Sequence, residues 1–154
     1  MKPCISLNTA TLITGISRRT LWRHVANSLL QKLHTPSGQS AQVVLADVLK
    51  LGEITFTERE TADLLAADKG EARAQNAMGI FFHRRKNHAA ACAWFDKAAR
   101  QNHADALQWL AIYHAAGHQG GEPDEAAALD YLEAAARAGH SIAQAQLETL
   151  RASE

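Results

Sequence analysis

The spacing of apolar and polar positions divides the chain into short helical stretches with one interruption. In "SLNTATLIT", Leu12 and Ile13 face inward and Asn8 stands where an N-cap belongs. "TGI" then predicts a tight break, because Gly15 can take the positive φ of a helix–helix turn. Ser17 is placed to cap a second helix over residues 18–27. In that helix Leu21 and Val25 lie four apart on one face, and Ile16 can join them. Arg19 and Arg23 are also four apart, on another face, with Arg18 and Trp22 beside them. "KLH" and "AQVVL" read as two strands of a hairpin around a Pro-Ser-Gly turn with Gly38 at its tip, and "ADVLKL" as a short closing helix. "GEITFTERE" leads to Thr57, whose spacing to Glu60 fits a capping box.

Beyond Thr57 the pattern repeats. "AWFDKAARQNHADALQWLA" aligns with "DYLEAAARAGHSIAQAQLE" at an offset of 37 residues. Trp94 falls on Tyr131, Ala98 on Ala135, His103 on His140, Ala106 on Ala143 and Leu110 on Leu147. A weaker copy precedes them, with Ala74 and Met78 standing 32 residues before Ala106 and Leu110. Six helices are expected, near 58–67, 71–84, 89–101, 104–116, 123–138 and 141–151. Small residues allow close helix contact, while Trp94, Trp109, Tyr113 and Tyr131 fill the gaps. Such helix pairs stack into a solenoid. The expected fold class is therefore mainly α. A small β-hairpin module occupies 1–52, and an α-solenoid of about two and a half helix-pair repeats occupies 57–154.

Charge sharpens this division. The chain is neutral overall, with 16 basic and 16 acidic side chains. Residues 1–52 carry six basic residues against Asp47 alone, a net +5, which leaves −5 for the rest. A basic module joined to an acidic one suggests a polyanionic partner for the first. Hydrophobic content of 47% is globular, and no apolar run approaches the roughly 20 residues that span a bilayer. "MKPCISLNTATLITG" has one Lys and no long apolar core, so no signal peptide and no membrane association are expected. The expected compartment is the cytoplasm. Cys4 and Cys92 form no CxxC pair and are expected to be free thiols.

Helix, turn, basic helix, hairpin, helix is the order of a winged helix-turn-helix, in which one side of the second helix anchors and the other is presented to the major groove. The stretch "TGISRRTLWRH" resembles the turn and recognition helix of small DNA-binding domains of the MerR and excisionase type. The resemblance covers about residues 5–51. It implies contact with double-stranded DNA through Ser17, Arg18, Arg19, Thr20 and Arg23. Arginine suits that role, since its planar fork pairs with guanine or clamps a phosphate. Trp22 would pack on the sugar-phosphate backbone or serve as a half-buried platform under the wing. The wing tip at 37–40, including Gln39 and Ser40, with Lys32 and His34 beside it, would touch backbone or minor groove. One such module binds DNA weakly at physiological salt, so useful specificity calls for dimerisation or a second bound protein.

The repeats resemble the Sel-one-like repeat, a relative of the tetratricopeptide repeat. "ARAQNAMGIFF", "AWFDKAARQNH", "ADALQWLAIYHAAGHQGGEPDEAAALDYLEAAARAGH" and "IAQAQLE" carry the likeness, over about residues 57–150. In the first copy "HRRKNH" replaces the glycine loop, so that loop is short. The resemblance implies a protein-binding module and no enzyme. Two and a half copies fall below the three that stack stably alone, so a homodimer through the repeats is expected to cover an end face.

Eight histidines invite a metal reading. His88 and Cys92 are four apart, His83 is five before His88, and His114 and His118 are four apart. Helical i, i+4 pairs can bind zinc. His103 and His140, however, share a repeat position, and neither spaced pair has an obvious third ligand. "HRRK" reads as a solvated turn. No P-loop, G-x-S-x-G or H-E-x-x-H motif is present. No metal, cofactor or catalysis is expected. The expectation is a DNA-binding transcriptional regulator whose repeats mediate dimerisation or hold a protein partner. The alternative is a non-enzymatic adaptor in which the winged module does not bind DNA. The face formed by Arg18, Arg19 and Arg23 separates the two, because an adaptor needs it only for an acidic partner.

Overall fold

In a computed structural model, which describes residues 1–118 and 120–154, the chain is mainly helical with a small two-stranded antiparallel sheet. It divides into two compact units, Met1–Lys69 and Gly70–Glu154.

The first unit runs β1 (Cys4–Ser6), α1 (Leu7–Thr14), α2 (Arg18–Ala26), β2 (Gln42–Val44), α3 (Leu45–Gly52) and α4 (Glu58–Asp68). Ser6, not Asn8, caps α1: its hydroxyl accepts the Thr9 N–H, because the extended chain before Leu7 puts Ser6 in the capping position. Gly15, at φ 71°, ends α1 in the left-handed conformation expected of it. Ser17 caps α2 by accepting the Thr20 N–H, as its position predicts. Leu21 is buried on the inner face, and Val25 only partly.

The sheet differs from the expected hairpin. β2 pairs with β1 in the register Cys4↔Val44, Ile5↔Val43, Ser6↔Gln42. The stretch read as the first hairpin strand makes a single bridge, Lys32↔Val43, on the other edge of β2. Leu33 N–H bonds Gln42 O at 2.9 Å and Val44 N–H bonds Gln31 O at 2.9 Å. β2 is thus satisfied on both edges, and the N-terminal strand carries most of the pairing. Ile5, Leu7, Ile13, Leu21, Leu30, Val43, Val48 and Leu64 form the core.

α4 completes this unit. Thr57 and Glu60 form the full capping box. At the other end, both oxygens of the Asp68 carboxylate accept the Ser6 N–H, at 3.0 and 3.1 Å, and Oδ1 accepts the Ser6 hydroxyl at 2.6 Å. The unit so bounded holds eight basic and six acidic side chains, a net +2, because α4 brings acids to the basic stretch.

The second unit comprises α5 (Ala72–Arg84), α6 (His88–Ala99), α7 (Ala104–Ala116), α8 (Glu125–Arg137) and α9 (Ser141–Ala152), each packed on the next. The internal repeat is visible in the backbone. Gly70, Asn102 and Gly139, spaced by 32 and 37 residues, all have positive φ (97°, 60° and 96°). Each is followed by an approach to the next helix through Glu71, His103 or His140, at φ near −72° and ψ between 109° and 115°. His103 and His140 cap α7 and α9, their Nδ1 atoms accepting the Ala106 and Ala143 N–H at 3.4 and 3.2 Å. The paired positions Ala98 and Ala135, Ala106 and Ala143, and Leu110 and Leu147 are all buried. α5 and α6 meet at Gly79, where a Cβ would stand 2.4 Å from two ring carbons of Phe95.

Candidate nucleic-acid interface

Around α2 the structure sorts the residues singled out above into three groups. The first is occupied by the fold. The Ser17 hydroxyl caps the helix and donates to Thr20 Oγ1 at 2.9 Å. Arg18 Nη1 donates to Asn8 Oδ1 on α1 at 2.8 Å. That bond uses one of five guanidinium N–H groups and gives the exposed arginine a fixed direction. Asn8, read as a cap, is instead the support of Arg18.

The second group is presented. Arg19 and Arg23 are exposed, and among the described residues neither makes an ion pair or a side-chain hydrogen bond. Asp47, the single acid of residues 1–52, is used elsewhere: its Oδ2 accepts the Gln31 N–H at 3.0 Å. Trp22 is 37% exposed, and Lys32 Nζ lies 4.9 Å from its ring centroid. At an exposed site such a cation–π contact contributes on the order of 0.5–1 kcal/mol. Lys32, the residue that bridges to Val43, thus lies over the half-exposed Trp22 ring.

The third group is His34, Gln39 and Ser40, exposed beside the Pro36–Gln39 turn, where Gln39 N–H bonds Pro36 O at 3.2 Å. No hydrogen bond among the described residues joins them to α2. Cys4 is a free thiol that donates to Lys2 O at 3.2 Å. Burial pushes its pKa up, against a smaller opposing effect of Lys2.

The second unit has two features of its own. Histidines read as spaced pairs meet across elements instead. His83 Nδ1 lies 2.8 Å and His88 Nδ1 3.3 Å from the Tyr113 hydroxyl. His118 stacks on His88, with ring centroids 4.3 Å apart and planes at 11°. "HRRK" is therefore more than a solvated turn: His83 points inward, while Arg84, Arg85 and Lys86 are exposed. Burial drives the Tyr113 pKa up to about 12, with a further rise from Cys92. Among the described residues no three His, Cys, Asp or Glu side chains are arranged to hold a metal ion. The other feature is an apolar groove of about 840 Å³ on α7, α8 and α9, lined by Ile112, Leu129, Ile142 and Leu150, which are 43–60% exposed. The buried Gln108 lies in its lining and donates to Gln146 at 2.9 Å.

Among the described residues no helix is long and apolar enough to cross a membrane. Comparison of the chain with protein-family models, curated proteins and solved structures finds no match.

Proposed function

We propose that this protein is a DNA-binding regulator. In this reading the first unit is a winged helix-turn-helix whose α2 reads the major groove, and the second is a repeat module that supplies dimerisation or a protein partner. The observation that carries it is the pair Arg19 and Arg23, one turn apart on α2. Both are exposed and free of internal partners among the described residues. The helix is fixed by the Ser17 cap and the buried Leu21. Asp47, the single acid of residues 1–52, accepts a backbone N–H from Gln31. A rigid helix with unspent guanidinium groups suits phosphate and base-edge contact.

A net charge of +2 on the first unit gives a small electrostatic footprint. Tight binding at physiological salt then needs two copies or a partner. The groove on α7–α9 supplies apolar surface for such an association. The test is binding of the purified protein to fragmented genomic DNA, with recovered fragments sequenced, beside Arg19→Glu/Arg23→Glu. Enrichment of discrete sites by the wild type alone supports the reading. No enrichment by either at low salt refutes it and leaves the adaptor. A monomer by light scattering at micromolar concentration removes the homodimer.

A further inference from the structure

The repeat explains His103 and His140 as caps, but not the three histidines gathered at Tyr113. His83 comes from the end of α5, His88 from the start of α6, and His118 from just beyond α7. The Tyr113 phenol is fully buried and has one proton to give. With two imidazole Nδ1 atoms in reach, it donates to one and accepts from the Nδ1–H of the other. That arrangement satisfies every atom only while the imidazole that receives the phenol proton is neutral. Protonating it puts N–H against O–H. The phenol hydrogen must then turn away into buried surroundings, and it is not shed, since its pKa is already driven up to about 12.

The neighbours give such a proton no welcome. His88 carries His118 on its ring face and faces His83 at 5.8 Å between centroids. Lys86 lies in the turn between α5 and α6, beside Arg84 and Arg85; the Arg85 guanidinium sits 3.5 Å from the Phe81 ring centroid. On α6 the partly buried Cys92 faces Tyr113, and on α7 His114 stacks on Tyr131 of α8. Asp96, which shares a cavity lining with His118, is bound by Arg100 at 2.8 Å. No carboxylate pairs with any of the three rings among the described residues.

We propose that His83, His88 and His118, gathered on Tyr113, form an acid-released clasp joining the end of α5, the start of α6 and the end of α7. The clasp is closed while the rings are neutral. It opens when the ring that accepts the phenol proton is itself protonated and sets its N–H against the phenol O–H. The pKa of His88 agrees in direction. It is lowered by burial first, then by His118, His83 and Lys86. A lowered folded-state value means stability held above the ordinary histidine range and lost as pH falls below it.

The experiment is amide hydrogen exchange on the full chain at about pH 7.5 and about pH 5, corrected for intrinsic rates, with imidazole resonances followed by NMR. The informative amides are Lys86, Asn87 and His118, which bond His83 O, Phe82 O and Tyr113 O. Their protection is expected to fall several-fold at the lower pH while amides of α3 and α9 keep theirs. His83→Gln/His88→Gln, which replaces both imidazoles at the phenol by polar neutral side chains, is expected to abolish that fall; if the double variant misfolds the two single variants serve, and the one that removes the phenol's acceptor is expected to abolish it. Unchanged protection in the wild type overturns the clasp. So does a uniform loss across both units, or an equal fall in the glutamine variants.

Discussion

Replacing Gly79 by alanine sets two opposing effects against each other. In a helix interior the change gains about 1 kcal/mol, because alanine loses less backbone entropy than glycine. At this position the new methyl would meet Phe95 Cδ1 and Cε1 at 2.4 Å and Cζ at 2.9 Å. Phe95 has no room to yield. It is fully buried, stacks on Trp109 at 5.3 Å and 6°, and meets the Tyr113 ring edge-on at 5.7 Å. Overpacking a filled core costs about 1–3 kcal/mol, more where the neighbour is rigid. The collision outweighs the propensity gain, and Gly79→Ala should lose about 1–2 kcal/mol net. For a unit of this size each kcal/mol lowers Tm by about 4–8 °C. Urea unfolding of the full chain, followed by near-ultraviolet circular dichroism, reads the loss. A double-mutant cycle with Phe95→Leu isolates its cause, since trimming the ring should recover part of the alanine penalty. If Gly79→Ala is as stable as the wild type or more so, the close approach of α5 and α6 at this point is wrong.

Three further outcomes follow from the geometry. Asp68→Ala should destabilise the first unit by about 2 kcal/mol, since it strips charged acceptors from the Ser6 N–H and hydroxyl; Asp68→Asn should recover part of that in the same urea assay, and no loss in either variant would detach α4 from this unit. Ser17→Ala should cost about 1 kcal/mol by removing the acceptor of the Thr20 N–H, readable as a lower urea midpoint, and an unchanged midpoint would mean that α2 does not depend on its cap. Absorbance titration should place both tyrosines above the ordinary value, Tyr113 at about 12, each raised first by burial. Because the folded state holds these protons longer than the unfolded chain, stability should decline as pH rises above about 10. A tyrosine pair titrating together at the ordinary value would contradict the burial of Tyr113.

Local signals were readable where a residue and its partner lie within one turn. Ser17, Gly15 and the Thr57–Glu60 box could be placed because each acts over three or four residues. The repeat offset of 37 was equally plain, because the small buried positions recur as letters. What escaped involves partners far apart. β1 is three residues long, too short for its one buried residue, Ile5, to read as an alternation. The partner of Asp68 stands 62 positions away, so α4 looked like the first helix of the repeats. The histidines were counted as i, i+4 pairs, whereas the ones that meet come from different elements, with Tyr113 between them. Around α2, side-chain identity alone could not separate Arg18, tied to Asn8, from Arg19 and Arg23.

The clasp of Ser6 by Asp68 has a topological consequence. It brings the first strand and the last helix of the first unit together, so the unit closes on itself like a ring with a polar fastening. A module whose entrance and exit lie side by side can be carried as a cassette. It can be spliced into another chain at a single surface point, or re-cut with new ends elsewhere, without unthreading its interior.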